Sequence, residues 1–361
     1  MNSANNRILG YDFARGLAII GMVFVNFKVV MVAEESSFLY NLVELLSGKA
    51  AALFVVLAGV GMTLMYNGAK RKNSIELIKK VKTDLLKRAA FLFVVGLSYY
   101  FIWPADILHY YGLYLSIGVL FLSVNRKWLI SVSLLLIVAY SLLFPVLNYE
   151  KGWDWTIMEY TDFFTLQGFF RNLFINGFHP VIPWLAFLLT GIWVGRINFR
   201  DLKVRKRVLL ISLASYVLFK AISMVMVSVL SGLSPSEALD IVYAFGTSPM
   251  PPLFFYMVTA SSLAVFIISL SVYIAEKYSN ALIIKQMVST GQLALSNYFF
   301  HVIVGMLGVQ LFFGKLEHAF SIEFAVAYAS AFSVVLIVFS HYWRRKFKRG
   351  PLEYLMRKIT G

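Results

Sequence analysis

Apolar residues come along this chain in windows of about 20 positions nearly free of charge, for example Leu129 to Leu147, Val208 to Leu230 and Leu253 to Ala275. A helix of that length crosses ~30 Å of hydrocarbon. The pattern predicts an all-α, polytopic transmembrane bundle of about ten helices, centred near residues 23, 57, 95, 116, 138, 188, 219, 264, 301 and 331. The sixth span, between His179 and Arg196, is short, and the ninth, from about Gln286 to Phe313, is long. One of them is expected to tilt or to run along the interface. With no linker, long-period repeat or low-complexity stretch, residues 1–361 read as a single integral membrane domain.

Composition agrees: 60% of residues are hydrophobic and 14% charged, far from a soluble globule. The net charge of +15 becomes informative once it is distributed over the predicted loops. Arg7, Arg15, the Lys70–Arg88 and Arg196–Arg207 clusters and the tail from Arg344 to Lys358 share one side. Lys28, Lys49, Lys151, Arg171 and Lys315 stand opposite, and Lys220 lies inside the seventh span. The positive-inside rule then puts both termini in the cytoplasm. The excess charge reads as orientation and attraction to anionic lipid, and a nucleic-acid partner is not expected.

The other side is acidic, and its longest loop, about Asn148 to Phe178, carries Trp153, Trp155, Phe163, Phe164, Phe169 and Phe170. Such a loop packs on the membrane surface or covers a site. No cleavable signal peptide is evident, because the first apolar run has a polar start. The stretches LFVVLAGVG and LAFLLTGIWVG suggest two helices with glycine faces for close packing. The tail GPLEYLMRKITG is expected to form a short interfacial helix.

Polar groups inside spans need partners, so they carry the chemistry. In YDFARGLAIIGMVFVN, Asp12 and Arg15 are neighbours on one helical face, and Asn26 stands about three turns, ~16 Å, further up that face. The stripe must face protein or a hydrated cleft. WPADILHYYGLY places Asp106 three residues before His109, so the carboxylate can orient the imidazole as a proton acceptor, or simply cap the helix. His179 enters the sixth span at the same depth as His109. In TGQLALSNYFFHVIVGMLG, Asn297, His301 and Gly305 recur every four residues and share a face. Lys220 sits too deep to snorkel and calls for an anion or a carbonyl partner. With no cysteine and no HxxxH or HExxH spacing, no metal site is expected.

The ordered stretches YDFARGLAIIGMVFVN, LFVVLAGVGMTLMYNGAKR, ADILHYYGLY, GFHPVIPWLAFLLTGIWVGR, TGQLALSNYFFH and RGPLEYLMRK resemble a bacterial family of ten-pass membrane proteins. That family is similar to the transmembrane acyltransferase superfamily, which includes heparan-alpha-glucosaminide N-acetyltransferase and the bacterial sugar O-acyltransferases. The resemblance implies a plasma-membrane enzyme that takes an acyl group from cytoplasmic acyl-coenzyme A and delivers it to a sugar or envelope acceptor outside. The chain departs from its relatives in one respect. Where the O-acyltransferases have histidine eleven positions after the arginine, Arg15 is followed by Asn26, and residues 27–49 contain no histidine. An amide is no base. The expected catalytic pair is therefore Asp106 with His109, and Asp12, Arg15, Asn26, His179, Lys220, Asn297 and His301 are expected to bind donor or acceptor. The alternative is a proton-coupled transporter or flippase of a small anionic or lipid-linked solute, using the same residues as relays.

Overall fold

The computed structural model describes residues 7–156, 158–314 and 316–361; Lys315, one of the expected outward-side cations, lies outside the described residues. The helices of the first half are α1 (Leu9–Met31), α2 (Phe38–Glu44), α3 (Lys49–Lys70), α4 (Ile75–Ser98), α5 (Leu108–Phe121), α6 (Arg126–Leu143), α7 (Leu166–Arg171) and α8 (Val181–Val194). They are followed by α9 (Leu202–Leu233), α10 (Ala238–Phe245), α11 (Phe254–Lys277), α12 (Leu282–Gln292), α13 (Ala294–Phe300), α14 (Leu307–Phe313), α15 (Ile322–Lys346) and α16 (Pro351–Thr360). Strands β1 (Trp153–Asp154) and β2 (Glu159–Tyr160) pair antiparallel in the long acidic loop, Trp153 opposite Tyr160. The protein is an all-α, multi-pass membrane protein.

Each of the ten expected span centres falls on helix. Among the described residues, seven segments are long and apolar enough to cross a membrane, and Leu166–Asn176 with Val181–Val194 meets that standard only as a pair, bent by 47°. The short sixth span is thus preceded by a second helical piece. α4 and α5 fall below that standard for physical reasons. The N-terminal half of α4 and its midpoint carry Lys79, Lys80, Lys82, Lys87 and Arg88, and α5 has 14 residues. α9 turns most of its surface outward through Leu210, Ile211, Val217, Leu218, Met224 and Val225, as a lipid-facing helix does.

Contacts divide the chain into two compact units, Met1–Phe54 with Phe266–Ile359, and Val55–Val265 with Thr360–Gly361. In the first unit α1 lies against α12 and α15. The long ninth span is interrupted here. α12 stops at Gln292, Leu293 leaves helical geometry (φ −106°, ψ 27°), and α13 restarts the helix before a π-helical turn at His301–Met306. The exposed amides of the restart are answered by Glu353 of α16, whose Oε1 accepts from Leu295 N (2.8 Å) and Ser296 N (3.2 Å). Ser296 Oγ donates to the other carboxylate oxygen and accepts from Leu352 N at 3.0 Å. A helix start buried in the membrane domain needs such acceptors.

In the second unit α4 packs along α5, and α8 packs on both α5 and α6. The two glycine-bearing stretches pack on each other. A Cβ on Gly59 would run into the backbone of Leu188 and Ile192, and one on Gly191 into Val56. Thr63 Oγ1 donates to Ile192 O at 3.2 Å across the same seam. Missing side chains let the backbones close together, the small-residue packing that membranes favour.

Candidate functional site

The second unit holds the Asp106–His109 pair, and both side chains are fully buried. Asp106 Oδ2 accepts from Leu108 N (2.7 Å) and His109 N (3.3 Å) and lies 3.3 Å from His109 Nδ1. Capping and imidazole orientation, alternatives in the sequence, are one arrangement in the fold. Tyr99 donates its hydroxyl to Asp106 Oδ1. A carboxylate only accepts, so Nδ1 of His109 carries the hydrogen and Nε2 keeps a lone pair. That Nε2 is buried with no hydrogen-bond partner among the described residues. Gly96 of α4 makes the close approach possible, since a Cβ there would sit 2.6 Å from Asp106 Oδ2 and press on His109 N.

His179 belongs to the same cluster. The Tyr110 ring lies 4.0 Å from the His109 ring and 5.8 Å from that of His179, and Tyr114 donates to the His179 carbonyl. Nδ1 of His179 is likewise buried without a partner among the described residues. The 148–178 loop covers this cluster. Phe163 stacks on Tyr100 at 3.7 Å, and both rings meet His109 edge-on at 6.3 and 6.2 Å. Two asparagines hold the loop in place. Asn172 Oδ1 accepts from Tyr110 OH (2.5 Å), and Asn176 accepts from Tyr160 OH (2.7 Å) while its amide donates to Tyr149 O (2.7 Å) and Lys151 O (2.9 Å).

In the first unit the polar stripe of α1 finds its partners within that unit. Asp12, almost fully buried, accepts from Arg7 (2.7 Å), Arg15 (2.9 Å) and Gln292 (3.3 Å), and Gln292 in turn accepts from Arg344 Nε at 2.7 Å. Asn26 Nδ2 lies 2.8 Å from His301 Nε2, and His301 Nδ1 meets the Tyr298 carbonyl. A carbonyl only accepts, so Nδ1 of His301 is protonated and Nε2 receives the Asn26 amide. Asn297 donates to Thr290 O (3.1 Å) and Ser340 Oγ (2.9 Å), a helix-to-helix clamp. In the second unit Lys220, for which an anion or a carbonyl was expected, donates instead to the Thr247 hydroxyl at 2.6 Å. The described residues contain no group of three or more His, Asp or Glu placed to hold a metal ion.

The catalytic profile of heparan-alpha-glucosaminide N-acetyltransferase matches residues 7–231, more than half of the chain, from α1 through most of α9. The chain belongs to that family. A second profile, for a family described as a protein of unknown function (DUF418), matches residues 198–361. The uncharacterized protein YxaH of Bacillus subtilis is 23% identical over 99% of this chain and 94% of its own length. Within the acetyltransferase catalytic match fall Asp12, Arg15, Asn26, Asp106, His109, His179 and Lys220, whereas Asn297 and His301 lie outside it.

Membership of the acetyltransferase family leaves four cluster residues that the sequence did not single out, Tyr99, Tyr110, Asn172 and Asn176. A signal existed for the asparagines. They are polar groups four residues apart in the apolar stretch RNLFINGF, where a lone amide needs a partner.

Proposed function

We propose that this protein is a membrane-embedded acyltransferase that moves an acyl group, acetyl in the simplest case, from cytoplasmic acyl-coenzyme A to a hydroxyl or amine of an extracytoplasmic sugar or envelope acceptor. His109 Nε2 takes the acceptor's proton, and Asp106 holds Nδ1 and stabilises the imidazolium that forms. The acceptor oxygen or nitrogen bonds to the acyl carbon, the carbon–sulfur bond breaks, and coenzyme A leaves as a thiolate that is then protonated. In the first unit Asn26, aimed by His301, has a second amide hydrogen to offer a carbonyl of the acyl donor. Asn297 and Lys220, satisfied by Ser340 and Thr247, receive no chemical role. His109 is sealed beneath Phe163 and Tyr100, so the acceptor enters when the 148–178 loop moves.

What carries the reading, alongside family membership, is the unpartnered Nε2 of His109 opposite a buried carboxylate. A buried polar atom left open calls for a reason, and this one belongs to a ring whose other nitrogen faces a carboxylate. The test is release of free thiol from labelled acetyl-coenzyme A by protein in liposomes, with and without a hydroxyl or amine acceptor. Thiol release should depend on acceptor, and His109→Ala should lower it by about 10²–10⁴. Full activity in that variant removes His109 as the base, and absence of thiol release with every acceptor removes the acyltransferase reading itself.

One observation favours the transporter reading, the interruption of the ninth span at Leu293 with a carboxylate inserted at the restart. Discontinuous helices of this kind line solute sites in secondary transporters. Solute-dependent proton flux in liposomes lacking any thioester is the result that would establish it.

A further inference from the structure

The elbow between α15 and α16, in the first unit, frames an open pocket of about 720 Å³ walled by Trp343, Phe347 and Tyr354 and edged by Lys346, Lys348 and Arg349. Its backbone is tied down from within. Trp343 Nε1 donates to Arg349 O at 2.8 Å, and Arg344 Nη1 donates to Phe347 O at 3.2 Å and to Lys348 O. The turn is therefore built, while the ammonium and guanidinium groups on it are not spent. Among the described residues no carboxylate pairs with Lys346, Lys348 or Arg349. Three uncommitted cations beside exposed aromatic faces are the chemistry that receives a nucleotide's phosphates and base.

The depth of this pocket relative to the Asn26–His301 pair follows from the helices. Arg344 and Asp12 share Gln292, which brings the basic ends of α15 and α1 to one level. From Trp343 back to Phe332 is eleven residues of α15, a rise of ~16 Å. Phe332 meets the Phe27 ring at 5.6 Å, and Phe27 lies 6.3 Å from the His301 ring. On α1 the step from Arg15 to Asn26 is the same eleven residues. The pocket thus stands ~16 Å along the helices from the Asn26 amide, a separation that an extended pantetheine arm spans.

We propose that the α15–α16 elbow binds the nucleotide end of the acyl-coenzyme A donor, with phosphates on Lys346, Lys348 and Arg349 and the base against Tyr354 or Trp343. This rests on the acyltransferase reading, from which it takes the donor. The cations also suit a phospholipid headgroup, and the experiment separates the two sources. Full-length protein in detergent is titrated with coenzyme A, dephospho-coenzyme A and pantetheine, alongside the triple variant K346Q/K348Q/R349Q, whose exposed side chains make no packing contribution to lose. Wild type should bind coenzyme A about tenfold or more tighter than pantetheine, with dephospho-coenzyme A between them, and the variant should lose that preference.

Equal affinity of variant and wild type for coenzyme A overturns the pocket, as does loss of a co-purifying anionic phospholipid, seen by native mass spectrometry, with coenzyme A affinity unchanged. The second outcome makes it a lipid site. The two readings fail separately. Acceptor-dependent thiol release with an unaltered KM for acetyl-coenzyme A in the variant sinks the pocket alone, whereas preference lost in the variant of a protein that transfers nothing sinks the acyltransferase reading alone.

Discussion

Two buried imidazoles, one in each unit, are built to the same plan up to one atom. His109 and His301 both point Nδ1 at an oxygen acceptor and so expose the Nε2 lone pair. For His109 that acceptor is the Asp106 carboxylate, and Nε2 is left open; for His301 it is the Tyr298 carbonyl, and Nε2 is filled by Asn26. A carbonyl dipole fixes a tautomer but offers little to an imidazolium. A carboxylate neutralises the charge that appears when the ring takes a proton. By this difference His109 is suited to accept a proton in a reaction, and His301 to hold an amide in a fixed direction. Buried histidines of a membrane domain are therefore not interchangeable as catalytic candidates.

The largest expected effects test that contrast directly. Asp106→Asn keeps an oxygen for the amides of Leu108 and His109 but removes the charge, so acyl transfer should fall by about 10²–10⁴ with an altered pH–rate profile. Asn26→Ala removes an amide offered to the donor and should weaken acetyl-coenzyme A binding by about tenfold with the profile unchanged, because an amide does not titrate. Profiles that move alike in the two variants would erase the distinction. A smaller effect is expected from packing. Gly96→Ala places a methyl 2.6 Å from Asp106 Oδ2, which overpacks the start of α5 at a cost of about 1–3 kcal/mol. Thermal unfolding in detergent should show a lowered midpoint. Gly61→Ala, whose Cβ meets nothing within 4 Å, should leave it equal or raised by helix propensity. A lowered midpoint for both would mean that glycine itself, rather than the contact with the Asp106–His109 pair, is what these helices require.

Helix positions were legible because a bilayer demands long apolar runs, and each expected centre lies on helix. The glycine seam of Gly59 and Gly191 was legible for a similar reason, since close backbone approach requires only that a side chain be missing. Asp106 and His109 are three residues apart, so one helix start brings them together. Asn26 and His301 are 275 positions apart, and no local rule could have paired them. The same holds for Lys220 and Thr247, where a hydroxyl replaced the expected anion or carbonyl. The break at Leu293 has neither glycine nor proline at the stop itself, and its amides are answered by Glu353 from a different helix. Long-range satisfaction of a polar group is invisible to periodicity, and that is where the sequence reading ended.

The interrupted helix of the first unit also permits the gentlest test, because its plug is titratable. Glu353 is held above the usual carboxylate range by burial, while hydrogen bonds from Ser296 and the amides of Leu295 and Ser296 pull the other way. A raised value in the docked state means that docking favours the protonated acid. Below about pH 4, under the ordinary glutamate value, docked and undocked forms are both protonated and the contact has its full strength. As pH rises through that value the undocked carboxyl ionises first, so α16 is held progressively less firmly until the docked carboxyl ionises too and the loss levels off. Amide exchange at Leu295 and Ser296 should accordingly gain opening frequency between these two values beyond the intrinsic chemical rate. Glu353→Gln, which keeps an acceptor oxygen and cannot ionise, should abolish that extra slope. Opening that instead diminishes with rising pH would mean that the ionised carboxylate, anchored by the amides at the start of α13, outweighs its own desolvation.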